Sequence, residues 1–149
     1  MARRRARECA LQCLYQWDMT GASADALLHA YWQAHPATPK VIEFAQYLVR
    51  GTLGRLPEID ALIRAQAEHW RFERMGRVER SILRLGGYEL LCEAETPAAV
   101  VIDEAIELCK RYCEPMAGQF INGVLDGMRC KIAASKTAAN IRTTLDGSP

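Results

Sequence analysis

Apolar residues recur every three or four positions along nearly the whole chain, while strand-like alternation is almost absent, so the pattern predicts an all-α domain. In residues 3–20, Ala6, Ala10, Cys13, Leu14 and Trp17 form one stripe, and Gly21 ends it. Ser23 and Asp25 are cap residues for a second helix to about Ala34, with Leu27, Leu28, Tyr31 and Trp32 inward. Thr38-Pro39 starts a third, to about Leu53, burying Ile42, Ala45, Leu48 and Val49. After Gly54 and Pro57, a fourth is expected from about Glu58 to Trp70, followed by a basic connector over 71–76. The segment Arg77 to about Cys92 is apolar on more than one side, the mark of a central helix, and Gly86-Gly87 lets a neighbour approach closely. Thr96-Pro97 opens a sixth helix to about Cys113. Pro115 opens a seventh carrying Phe120, Ile121, Val124, Leu125 and Met128. The expectation is about seven helices in two small packed bundles meeting near residues 54–57. Residues 1–133 form one domain, and 134–149, where the periodicity fades, are read as a disordered tail.

A chain of 149 residues that is 50% apolar is long enough for a real core and too hydrophobic for disorder. It has no apolar run of the roughly 20 residues a membrane span needs. The basic start leads into Cys9, Gln12 and Asp18 rather than an apolar core, so no secretory leader is expected and the cytoplasm is the expected location. Cys9/Cys13 and Cys109/Cys113 share helix faces but lack histidines at zinc spacing, and the reading is core packing with no metal or cofactor. No phosphate loop, Gly-x-Ser-x-Gly or His-Glu-x2-His pattern occurs. Glu104 and Glu107 read as a solvated acidic face, so no catalytic residue is assigned.

The net charge of +1 hides a strong asymmetry. Residues 1–17 hold Arg3, Arg4, Arg5 and Arg7 against Glu8 alone, and residues 71–84 hold five arginines against two acids. Residues 87–114 hold seven acids against Lys110 and Arg111. Such polarity suits one anionic and one cationic partner. On the first helix, Arg4, Arg5, Gln12, Tyr15 and Gln16 share a face. Guanidinium groups for phosphates, amides for base edges and a ring for stacking are the combination that holds single-stranded RNA. The same face also suits plain solvation, with Tyr15 packed under arginine stems.

The stretch from Arg3 to Trp17, RRRARECALQCLYQW, closely resembles the opening of the NusB transcription antitermination family. Val78–Arg84 with Tyr88-Glu89-Leu90, Ile102–Leu108 and Phe120–Asp126 agree in order, so the resemblance covers about residues 3–130. It implies a non-catalytic fold of two helical bundles. It also implies binding of the single-stranded boxA element of nascent ribosomal RNA beside a small-subunit ribosomal protein, NusE, within the transcription complex. Carried onto this chain, it assigns RNA contact to Arg3, Arg4, Arg5, Arg7, the face with Gln12, Tyr15 and Gln16, and Phe120. It assigns the partner side to Glu79 and Arg80. Some relatives carry an acid before the aromatic where this chain has Met116, so no site is carried to that position. The alternatives are a helical front module of an RNA-modifying enzyme and an adaptor or homodimer working through protein contacts alone.

Overall fold

The computed structural model describes residues 2–67 and 72–146, with side chains described to residue 142. Among the described residues are seven α-helices: α1 (Ala2–Thr20), α2 (Ala24–Ala34), α3 (Pro39–Gly54), α4 (Leu56–Gln66), α5 (Arg77–Cys92), α6 (Ala98–Tyr112) and α7 (Ala117–Asp146). A short 3-10 turn, Phe72–Arg74, precedes α5. Helices α1–α3 pack together, α4–α7 pack together, and α5 joins the two groups through α1 and α3. The two-bundle architecture expected from the sequence is the one observed.

Local chemistry explains the helix starts. Ser23 caps α2, its Oγ accepting the Ala26 N–H at 3.2 Å. Pro39 occupies the first turn of α3, where its missing N–H costs nothing. The sixth helix differs from expectation: Pro97 is the cap itself, and the Thr96 hydroxyl instead accepts from Arg3 Nη1 at 3.0 Å. Helix α4 ends at Gln66, with Ala67 already off helical geometry, shorter than the expected run to Trp70; residues 68–71 lie outside the described residues.

Every residue from Ser81 to Glu89 is buried, so α5 is the central helix its all-round apolar pattern predicts. Its glycines serve contact. A Cβ on Gly86 would press on the Leu125 methyls, and one on Gly87 would meet Met128 and Ile59. The α3–α5 approach is closer still: a Cβ on Gly51 would run into Cζ and Oη of the Tyr88 ring. Gly51→Ala is therefore expected to cost about 1–3 kcal/mol through overpacking. Gly54→Ala, with open space around it, should stay within about 0.5 kcal/mol. Equal urea midpoints for the two variants would refute this reading of the α3–α5 packing.

The tail departs from expectation. The apolar pattern fades at Ala134, but α7 continues to Asp146, and residues 133–142 are exposed. Periodicity marks where burial stops, after Ile132. The backbone stays helical because the following segment carries four alanines and is free of glycine and proline until Gly147.

Candidate nucleic-acid interface

The apolar stripe of α1 faces the core through Ala6, Cys9, Ala10, Cys13 and Leu14, which turns Arg4, Arg5, Tyr15 and Gln16 to the opposite edge. Arg4 binds Glu104 of α6 in a fork, with Nε and Nη2 donating at 3.2 and 2.9 Å. Arg5 donates to Glu8 at 3.1 Å, and Arg111 reaches the other Glu8 oxygen at 2.7 Å. Arg4, Glu8, Glu104 and Arg111 line an open groove of about 380 Å³ between α1 and α6 with Glu107, Leu108 and Lys110. A second groove of about 350 Å³, sharing Lys110, continues between α6 and α7 past Glu114, Gly118 and Asn122. The hydrogen bond from Arg4 is the main cause holding the Glu104 carboxyl below its ordinary range, against the effect of burial.

The guanidinium groups of Arg4, Arg5 and Arg111 are exposed, while the Glu8 and Glu104 carboxylates they pair with are largely covered. A phosphate oxygen can approach the open side of each guanidinium, and a planar guanidinium suits phosphate and carboxylate alike. Lys110 and Arg111 are contributors that sequence reasoning missed. They sit in a segment whose net charge is acidic, whereas their position in the last turn of α6 delivers them to the basic edge of α1.

The remaining expected site residues are placed differently. Arg3 leans toward α3, over the Phe44 ring at 4.4 Å. Arg7 requires a correction: it is 4% exposed, and its Nε and Nη2 donate to Glu89, itself 2% exposed, at 2.9–3.1 Å. Its place on the buried flank of α1 makes it an internal tie between α1 and α5. Gln12 is half-buried, accepting from Tyr31 Oη at 2.7 Å and donating to Tyr112 Oη at 3.4 Å, so it links α1, α2 and α6. Tyr15 is half-buried and Gln16 exposed. Phe120 is half-buried against the core at the start of α7.

On the side assigned to a protein partner, the half-buried Glu79 carboxylate lies over Gly76 at the start of α5, where the helix dipole favours it. Arg80 turns inward, a second correction. It donates to Asp18 at 2.6 Å and to the Phe72 carbonyl at 3.2 Å. Both its terminal nitrogens are engaged within the fold, while its buried Nε has no hydrogen-bond partner.

Cys9, Cys13 and Cys109 are buried, and burial, aided by Cys9, pushes the Cys13 thiol up to about 12. Among the described residues no group of three His, Cys, Asp or Glu side chains is arranged to hold a metal, and no helix is long and apolar enough to cross a membrane.

A two-bundle helical domain with exposed cations along an open helix edge has the build of a binding protein. Comparison with known proteins gives the particular one: the chain belongs to the NusB family, whose pattern it matches over residues 4–129. It is 43% identical over 125 residues to the transcription antitermination protein NusB of Sorangium cellulosum, covering 84% of this chain and 89% of that one. The fold matches Thermotoga maritima NusB with a TM-score of 0.77 and 36% identity, over 85% of this chain and 89% of that one. It also matches a crystal structure of the antitermination factors NusB and NusE in complex with double-stranded RNA, with a TM-score of 0.79 and 31% identity, over 87% of this chain and 97% of that one.

Proposed function

We propose that this protein is a transcription antitermination factor that binds the boxA element of nascent ribosomal RNA together with a small-subunit ribosomal protein, NusE, and helps RNA polymerase read through ribosomal RNA genes. Family membership carries the reading, and the α1–α6 edge supplies the chemistry. Arg4, Arg5, Lys110 and Arg111 neutralise phosphates, while Tyr15 and Gln16 offer stacking and an amide to bases. Asn122, which lines the second groove, and Phe120, two residues before it, extend the RNA path onto α7. Glu79 remains the residue assigned to the ribosomal partner, and the work is done in the cytoplasm, where nascent RNA is available. No step of this function requires bond chemistry from the chain.

Salt dependence tests it. Replacing Arg4, Arg5 and Arg111 by Ala should weaken binding of a labelled boxA-type single strand. It should also reduce the slope of log K against log salt by about 0.7 for each phosphate no longer neutralised. Anisotropy at two salt concentrations, with a scrambled strand and with NusE added, reads this directly. Preference for boxA that sharpens with NusE is the expected result. Equal weak binding to both strands, unmoved by NusE, would replace this reading with a protein-only adaptor.

A further inference from the structure

A cleft of about 530 Å³ lies among α1, α3 and the α5–α6 loop, lined by Arg3, Lys40, Glu43, Phe44, Tyr47, Glu93 and Glu95. Its floor is aromatic. Phe44 and Tyr47 stack with ring centres 5.9 Å apart, Tyr47 is 40% exposed, and Tyr88 supports it edge-on at 5.6 Å. Its rim carries three carboxylates against two cations. One of those cations, Arg3, lies over the Phe44 ring at 4.4 Å, hydrogen-bonds Thr96 and stands 3.9 Å from the Glu95 carboxylate. Guanidinium on an aromatic face with a carboxylate beside it is how a protein surface takes an arginine side chain. Here that seat is filled by the chain itself, loosely, since the ion pair is long and both side chains are exposed.

We propose that this cleft is a docking site for an arginine- or lysine-bearing segment of a protein partner, and that Arg3 is the internal side chain such a segment displaces. With Arg3 swung out, Lys40 is the one cation left among the lining residues against Glu43, Glu93 and Glu95, a net charge of −2 over the exposed Tyr47 and half-buried Phe44 rings, which selects a cationic occupant. Glu93 is partly committed, accepting the Glu95 N–H at 3.1 Å. Glu43 has no hydrogen-bond or ion-pair partner among the described residues, so it and Glu95 supply the free charge. The cleft and the α1–α6 groove share no lining residue, so a basic peptide and RNA can be bound together. The inference stands independently of the RNA reading.

The test uses the full chain without RNA and a fluorescein-labelled tetra-arginine peptide as probe, read by anisotropy and by the NMR signals of the Phe44 and Tyr47 rings. An internal occupant lowers apparent affinity by the fraction of molecules with the cleft closed. Arg3→Ala, at an exposed position, should therefore bind the peptide roughly threefold to tenfold tighter than the unaltered chain and shift both ring signals. Adding Glu43→Gln and Glu95→Gln should erase the gain. The proposal is overturned if Arg3→Ala binds no better, or if the gain survives the two glutamine changes. It is equally overturned if the peptide is lost only on Glu104→Gln with Glu107→Gln, which would put it in the α1–α6 groove. Displacement of the peptide from the two rings by oligouridylate would instead make the cleft an RNA site.

Discussion

Arg7→Met should destabilise the protein by about 3–5 kcal/mol, because it leaves the Glu89 carboxylate buried and without its counter-ion. Against a total stability of about 5–15 kcal/mol, that is enough to threaten folding at growth temperature. The cost has a signature that a packing defect lacks. Burial already holds the Glu89 carboxyl above its ordinary range, even with the Arg7 hydrogen bond and charge pulling it down. Removing Arg7 moves it higher. A carboxyl whose folded pKa lies above its unfolded one weakens the fold at neutral pH, and the penalty fades as pH falls through the folded value. Urea unfolding at pH 7 and pH 5 should accordingly show the Arg7→Met deficit shrinking on acidification. The double change Arg7→Met with Glu89→Leu should recover most of the stability, since an apolar pair of similar volume removes the uncompensated charge. A deficit below about 1 kcal/mol, or one that is flat with pH, would show the pair to be unimportant. The folded double variant also decides the role of Arg7 in RNA binding: unchanged boxA affinity keeps it internal, and a loss would return it to the contact surface.

That pairing also shows what can be read from the sequence. Helix identity, most helix starts, the central α5 and the purpose of Gly86-Gly87 are legible, because caps, prolines and apolar spacing act within one or two turns. The basic edge is legible for the same reason: Arg4, Arg5, Tyr15 and Gln16 share a face through local spacing. Arg7 is misplaced when charge is counted by segment. Yet it precedes Ala10, Leu11 and Leu14 by three, four and seven positions, which sets it on the buried flank. Its partner, 82 residues on, carries no local signal. Arg80 fails likewise, since the acid that claims it, Asp18, lies 62 residues away on another helix. Lys110 and Arg111 belong to the groove only because the fold lays α6 beside α1. Local spacing reports faces, and pairing between faces is a property of the packed structure.

A second inward cluster should respond as strongly, and in a set order. Arg84, 6% exposed, forks onto Asp60, 8% exposed, at 2.9 and 3.0 Å, and reaches Asp18 at 3.3 Å. Arg80 shares Asp18, so one network ties α1, α4 and α5 at the end of α1 remote from Arg7. Arg84→Met strands Asp60 while Asp18 keeps Arg80, and should cost about 3–5 kcal/mol. Arg80→Met leaves both acids paired with Arg84 and forfeits the hydrogen bond to the Phe72 carbonyl, so about 1–3 kcal/mol is expected. Arg84→Lys should not rescue, because one ammonium cannot reproduce the planar fork. Burial raises the Asp18 carboxyl, but Arg80 and Arg84 outweigh it and hold the group below its ordinary range. Its contribution is therefore present above the unfolded value of about 3.9 and lost as pH falls through the lower folded value, a loss that Arg80→Met should flatten. Urea midpoints measured from pH 7 to pH 3 check both the order and the slope. Equal costs for the two arginines would mean that Asp60 finds another partner. If Arg80→Met stays folded but loses NusE affinity, its side chain leaves Asp18 to meet the ribosomal protein. If affinity holds, Arg80 positions α5, and Glu79, one residue before it, is left to make the contact.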